Sequence, residues 1–307
     1  MSSRAGTALA RALALVCALL APGAGFAQEK DLDTPYVQTP QAVVDKMLEI
    51  AKIRADDYVI DLGSGDGRMV ITAATRYGAR GFGVDLDRRL VEVANRNAAK
   101  AGVGKRAVFY ERDLFQTDVS PATVLTLYLL PDVNLAIRSR LLATLRPGTR
   151  IVSHDYGFGE WAPDSQLEMA APGKTVGIGQ RSKVFYWVVP GVAAGKWRWQ
   201  LRRDGRSEDY ELALDQNFQK LQGTLAAGGR PAKVENLVLT GEQLSFTATV
   251  NGSRCDFSGS IFNNAINGVA RVSGEKAGAQ SQELAWSATR TQIWDPQHVA
   301  HAAEPAK

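Results

Sequence analysis

Apolar positions along the chain follow two rhythms, and the rhythm changes near residue 190. Before that point, short apolar runs alternate with stretches whose apolar residues repeat at helical spacing. Residues 57–62, 81–85, 107–110, 123–130 and 150–153 read as strands. Val43, Val44, Met47, Leu48 and Ala51 share one helical face ahead of the first strand, with Pro40 where a helix begins. Residues 68–77 form the next helix, ended by Gly78. Leu90, Val91, Ala94, Ala98 and Ala101 mark another, stopped by Gly102, and Leu135, Ile137, Leu141, Leu142 and Leu145 a last one, stopped by Pro147-Gly148. Strand and helix alternating four times predict right-handed crossovers and a parallel, doubly wound α/β sheet. Residues 166–170 and 183–189 then follow with no helix between them, an antiparallel pair expected to close the sheet edge.

Beyond residue 193 the period shortens to two. Residues 197–201, 210–214, 218–225, 234–239, 244–250 and 255–261 alternate between apolar and polar, separated by Gly, Asn and Asp, and Asn251-Gly252 is a hairpin signal. Residues 193–293 therefore read as a small antiparallel all-β domain, a barrel or sandwich of about eight strands. Trp197 and Trp199 share a strand face, and inward packing is preferred to a binding platform. Residues 294–307 read as a disordered tail.

The first residues change the picture of where the protein works. Arg4 and Arg11 precede an apolar run over residues 12–21, a Pro22-Gly23 turn and a small-residue site ending at Ala27. That is the layout of a secretory signal peptide over residues 1–27, which predicts export to a periplasm. An uncleaved anchor is the alternative, but the run is shorter than the roughly 20 residues a membrane span needs. Cleavage would lower the formal charge from +4 to +2 and remove Cys17, leaving Cys255 with no disulfide partner. So mild a charge argues against nucleic acid, and no membrane span is expected after cleavage. The 307 residues, 45% hydrophobic and 22% charged, are ample for two packed cores.

The densest chemistry lies at the tip of the first strand, in Asp61-Leu62-Gly63-Ser64-Gly65-Asp66-Gly67-Arg68. Glycines at alternate positions let a loop adopt conformations that a Cβ forbids and let a ligand approach bare backbone at a helix start. A dinucleotide fingerprint would place its third glycine where Arg68 stands. A plain glycine-rich turn is the bland alternative. Asp85 ends the second strand about 20 residues after the loop, where a nucleoside site places its ribose-binding acid.

Asp61, Gly63, Gly65 and Gly67 resemble motif I of the class I S-adenosylmethionine (SAM) methyltransferases, which implies a Rossmann-like seven-stranded sheet. Under that reading residues 28–192 form the methyltransferase domain and SAM is the cofactor. The loop amides, with Asp66 beside them, face the methionine tail, and Asp61 orients the loop or meets the tail's amino group. Asp85 accepts from the ribose hydroxyls, and Asp113 from the adenine amine with Leu114 and Phe115 against the ring. For each acid alone, a solvated carboxylate or a helix cap is an equal alternative.

Tyr36-Val37-Gln38-Thr39-Pro40, Glu111-Arg112-Asp113-Leu114-Phe115, Leu129-Leu130-Pro131 and Ser153-His154-Asp155 sharpen the resemblance. Over about residues 34–190 the chain is similar to the small seven-stranded protein-lysine methyltransferases, a family that includes broad-specificity archaeal enzymes and mitochondrial enzymes acting on the adenine nucleotide translocase and the ATP synthase c subunit. The resemblance implies that Tyr36 and Thr39 close over the cofactor and that Leu129, Leu130 and Pro131 border an acceptor channel. Gln38 stands where the family more often has proline. The expected partner is a protein with an acceptor lysine. Tyr128, Leu130 and Pro131 would line a fairly apolar channel that favours loss of the lysine proton. His154 or Asp155 could assist that loss, although for His154 a structural role in the strand-end loop is preferred. The fourth strand lacks the Asn-Pro-Pro-Tyr type ending of enzymes that methylate adenine or glutamine amino groups. Two alternatives stay open: an exported protein that binds SAM or its product without turnover, and a small-molecule methyltransferase whose β domain selects the acceptor.

Overall fold

A computed structural model describes residues 36–177, 179–203, 205–273 and 281–294. The expected signal peptide, the leader after it and all of the expected tail but Trp294 lie outside the described residues. Helix α1 (Gln41–Ile50) precedes strand β1 (Tyr58–Leu62), and α2 (Arg68–Tyr77), β2 (Arg80–Asp85), α3 (Arg88–Lys100), β3 (Ala107–Glu111), β4 (Val124–Leu127), α4 (Pro131–Thr144) and β5 (Arg150–His154) follow. Strands β6 (Ser165–Ala170) and β7 (Arg181–Val188) complete a seven-stranded sheet in the order β3-β2-β1-β4-β5-β7-β6. The strands β1 to β5 pair in parallel, and β7 runs antiparallel to both β5 and β6. The predicted doubly wound α/β sheet and its antiparallel edge are therefore both present.

Both faces of the sheet are covered, which explains its unbroken apolar runs. Neighbouring strand residues point to opposite faces. Val59, Val124, Val152 and Val184 pack under α1, α2 and α3 with Val44, Met47, Val70, Ala73 and Ala94. Ile60, Leu125, Ile151 and Trp187 pack on the other side against Ile137 and Leu141 of α4, Phe158 and Trp161. Between β3 and β4 the chain makes only a 3-10 turn at Leu114–Gln116 in place of a crossover helix.

The fourth strand is shorter than its apolar run. It ends at Leu127, because Pro131 opens α4 and Leu130, held extended at φ −63° and ψ 153°, caps that helix. Tyr128, Leu129 and Leu130 thus leave the sheet edge. Leu135, expected on the core face of α4, is 44% exposed, and the buried positions of that helix are Asn134, Ile137 and Leu141.

Eight further strands follow: β8 (Gly195–Arg203), β9 (Arg206–Asn217), β10 (Lys220–Ala227), β11 (Arg230–Thr240), β12 (Gln243–Val250), β13 (Ser253–Phe262), β14 (Ala265–Val272) and β15 (Gln282–Gln292). They close into an antiparallel barrel, β15 pairing with β8. Its interior is filled by side chains, as expected at eight strands. Trp197 and Trp199 point inward, and Trp199 stacks on Tyr210 at 5.0 Å and meets Trp286 at 5.0 Å.

The barrel is fastened to the sheet through buried backbone. Gln216 accepts from the Ala193 and Ala194 amides at 2.7 and 3.1 Å and donates to the Gly191 and Phe218 carbonyls at 2.8 and 2.7 Å. Phe218 stacks on Trp161 of the α/β unit, with centroids 5.9 Å apart. Among the described residues no helix is long and apolar enough to cross a membrane.

Candidate active site

The strand order reverses between β1 and β4, and a doubly wound sheet opens its ligand crevice at such a point, beyond the carboxyl ends of the strands. A cleft lies there, lined by residues 36–39, Asp61, residues 63–66, Arg68, Met69, Leu127 and Tyr128. Gly63, Gly65 and Gly67 all take positive φ, at 76°, 52° and 83°. Gly65 also has no room for a side chain, because a Cβ there would lie 2.3 Å from the Tyr36 ring. Tyr36 thus lies directly over the loop.

The loop amides are used within the fold. Gly63 and Ser64 donate to the Val84 carbonyl, both at 2.9 Å, and Gly67 donates to the Ser64 carbonyl at 2.9 Å. Gly65 donates to Asp85 Oδ2 at 2.9 Å. For these four amides the expectation that they face a ligand carboxylate is corrected: those of Gly63, Ser64 and Gly65 tie the loop to the tip of β2, and that of Gly67 closes the loop on itself. Asp85 also accepts from the Asp87 amide at 3.0 Å. A carboxylate oxygen holds more than one donor, so Asp85 keeps acceptor capacity toward a diol.

Asp61 is buried and accepts from Thr126 Oγ1 at 2.7 Å across the β1–β4 pair. Burial pushes its carboxyl up to about 7, with the Thr126 bond working against that and the charges of Asp85 and Asp66 adding to it. Asp66 is half-buried too, yet the hydrogen bonds and charge of Arg68 hold its carboxyl below the ordinary range. Arg68 donates to Asp66 Oδ2 at 2.5 Å and to the Thr39 carbonyl at 2.7 Å. Thr39 Oγ1 lies 3.1 Å from His154 Nδ1. Residues 36–39 are therefore strapped across the cleft, pinned at the Thr39 end.

The strap leaves a cleft volume of only about 40 Å³, against roughly 300–1,000 Å³ for small-molecule sites. A nucleoside-sized ligand requires the Tyr36 end of the strap to lift. Asp113 and Leu114 are not brought to this cleft. Asp113 Oδ1 accepts from the Phe115 amide at 2.8 Å and caps the short turn, while Leu114 packs into the sheet core. Asp113 nonetheless follows β3, which pairs with β2 so that Glu111 lies beside Asp85.

The acceptor residues divide. Tyr128 lines the cleft and also a second cavity of about 270 Å³, with Asp155, Tyr156, Glu168, Lys174, Arg181 and Lys183 among its lining. Leu130 and Pro131 line neither. Leu129 is the one that packs against the loop, its Cδ2 2.9 Å from where a Gly63 Cβ would stand. The second cavity is thus charged, where an apolar channel was expected. Burial, with Asp155 alongside, pushes the Tyr128 hydroxyl well above its ordinary range, so it stays protonated and donates to Asp155 Oδ2 at 3.2 Å. His154 is fully buried, its Nε2 2.8 Å from Ser182 Oγ, and burial pushes it down to about 4. With both ring nitrogens engaged, it holds the strap to β5 and β7.

Three participants had escaped the sequence reading: Ser64, Arg68 as a strap anchor, and Lys174, whereas Asp155, read as a possible aid to deprotonation, stands in the second cavity's wall. Only Arg68 and Ser64 carried a signal, their place inside the glycine motif.

The ANTKMT methyltransferase domain family matches residues 61–165, from the tip of β1 to the start of β6. A protein-lysine N-methyltransferase of Saccharolobus islandicus (strain REY15A) is 43% identical over 136 residues, covering 44% of this chain and 84% of that protein. The chain belongs to this family of methyltransferases. The adenine nucleotide translocase lysine N-methyltransferase of Mus musculus is 32% identical over 133 residues, and the chain spans only 57% of its length. A solved structure described as an RNA methyltransferase from Salinibacter ruber in complex with S-adenosyl-L-homocysteine is 47% identical, covering 51% of this chain and 95% of that one at a TM-score of 0.47. The methyltransferase match falls within the α/β unit and stops before the barrel.

Proposed function

We propose that the methyltransferase transfers a methyl group from SAM to a lysine of a protein acceptor, and that it does so after export. One observation carries the reading: Tyr128 is a shared wall between the cleft at the β1–β4 switch point and a second cavity large enough for an aliphatic side chain. Transfer requires the amine nitrogen and the methyl carbon to come within about 3.5 Å of each other in line, so Tyr128 marks the boundary at which the two sites open to one another.

The cleft residues suit an adenosyl amino acid. Ser64 Oγ is buried in the cleft wall without a hydrogen-bond partner, and Gly65 leaves bare backbone beneath Tyr36. Asp61 and Asp66 offer carboxylates to an amino group and Arg68 a guanidinium to a carboxylate, while Asp85, outside the cleft lining but bonded to the Gly65 amide, has acceptor capacity for a ribose. SAM supplies an electrophilic methyl on a sulfonium. The chain's own residues do the aligning. Tyr36 and Thr39 close the cleft against water, His154 and Arg68 pin that closure, and Tyr128 separates the two cavities until both are filled.

Export is supported by the basic, apolar and small-residue sequence of residues 1–27. Mass spectrometry of the mature N-terminus from fractionated cells tests it, and a protein retained in the cytoplasm with residues 1–27 intact would overturn it. For the activity, purified protein is incubated with methyl-labelled SAM and envelope extract. Label that protease removes, ribonuclease leaves and hydrolysis returns as methyllysine is the expected result. Binding of S-adenosyl-L-homocysteine without any labelled product would instead identify a ligand-binding protein without turnover.

A further inference from the structure

The second cavity already holds an ammonium group. Lys174, on the loop between β6 and β7, has a side chain only 7% exposed, with Nζ 2.6 Å from Asp155 Oδ2. The same Nζ donates to the Arg181 carbonyl at 2.6 Å. Asp155 Oδ2 also receives the Tyr128 hydroxyl, and Oδ1 receives the Lys183 amide at 3.0 Å. Three donors therefore hold the carboxylate at the cavity wall, on a residue with φ 61°, a conformation non-glycine residues seldom adopt.

A buried ion pair could serve only to pin the hairpin loop. Its position argues for more. Asp155 meets Tyr128, the residue that lines both the cavity and the cofactor cleft, and Lys174 itself lines the cavity, with its ammonium already on that carboxylate. Glu168, the other acid lining the cavity, is paired with Arg181 at an exposed position, so Asp155 is the carboxylate best placed to receive a second ammonium. Burying a charge is costly unless it is paired, so an entering lysine takes up this partner only by displacing the one already there.

We propose that the Asp155 carboxylate, with the Tyr128 hydroxyl, is the recognition point for an alkylammonium group, and that Lys174 is its internal occupant, displaced when the acceptor lysine enters. The proposal rests on the reading of the protein as a lysine methyltransferase, but its test needs neither SAM nor turnover. It also accounts for a charged cavity where an apolar channel was expected, because the chemistry that selects lysine over other side chains is a carboxylate at the end of an aliphatic slot.

The test uses the full chain and an acetylating reagent, with mass spectrometry reporting the modification rate of Lys174 and of exposed Lys220 as reference. The probe is Nα-acetyl-Nε-dimethyllysine amide, a cation that the reagent does not consume, and Nα-acetylnorleucine amide is its uncharged counterpart. Saturating probe is expected to raise the Lys174 rate at least threefold relative to Lys220, with no change from the norleucine compound. An unchanged Lys174 rate, or an equal rise with both compounds, overturns the proposal. Lys174→Met is expected to bind the dimethyllysine probe about tenfold more tightly than the wild type, and weaker binding by that variant would overturn it as well. A titration with S-adenosyl-L-homocysteine on the same preparations reads the methyltransferase assignment separately.

Discussion

Asp61 is the residue whose burial has the largest expected consequence, and Asp61→Asn isolates it. The carboxyl moves from 3.8 to about 7 because it is buried. A carboxyl whose folded value is raised favours folding below its unfolded value, and that contribution is lost as pH rises toward the folded value. At 1.36 kcal/mol per pH unit, a shift of about 3 units corresponds to a ceiling of about 4 kcal/mol of destabilisation above pH 7. Asparagine keeps an oxygen to accept from Thr126 and carries no charge at any pH. Relaxation in the folded and unfolded states reduces the figure, so Asp61→Asn is expected to stabilise the sheet by about 1–3 kcal/mol at pH 8 relative to its effect at pH 4. Hydrogen exchange of the β1 and β4 amides, read by mass spectrometry, reports that stability independently of the barrel. An Asp61→Asn effect equal at both pH values would refute the reasoning, since the carboxyl would then carry no burial penalty. The same variant is expected to lose affinity for a cationic amino group in the cleft, so stability and binding move in opposite directions.

Gly65→Ala meets both a positive φ and the Tyr36 ring. It is expected to cost about 1–3 kcal/mol and to displace the strap, seen as a faster exchange of the residue 36–40 amides. His154, pushed down to about 4 from 6.5, contributes stability above pH 6.5 that is lost as pH falls toward 4, up to about 3 kcal/mol. In the Asp61→Asn background, where the opposing carboxyl is gone, melts between pH 7 and pH 4 are expected to show that loss, and a flat profile would contradict it. Gln216→Leu strands two carbonyls and two amides at the joint between sheet and barrel. A cost of about 2–4 kcal/mol and earlier proteolysis within residues 189–194 are expected, and unchanged proteolysis would show that the joint is held elsewhere.

The fold was legible where packing imposes a period. Strands buried on both faces leave continuous apolar runs, and α1 to α3 bury a stripe, so their register followed from Val43, Val70 and Val91 and their helical neighbours. The limits of β4 were not legible, because Leu129 and Leu130 are as apolar as the strand they leave and only the Pro131 cap ends it. Strands β14 and β15 carried weak patterns, since small residues on the inward face, Gly268, Ala270 and Ala288, dilute the alternation. At the site, the glycines were readable because only glycine tolerates the loop's backbone and the approach of Tyr36. Asp113 was not, because an acid that caps a turn and an acid that binds a base are identical in sequence. Lys174 could not have been found either, since its contact with Asp155 depends on how the β6–β7 loop folds back over β5.

Binding of the cofactor itself tests the central claim most directly. A calorimetric titration of SAM into the full chain is predicted to give micromolar affinity, weakened at least tenfold in Asp85→Ala, whose carboxylate holds the Gly65 amide and, in the proposed reading, accepts from the ribose. An absence of binding by the wild type, or equal affinity in the variant, would contradict the account of the cleft.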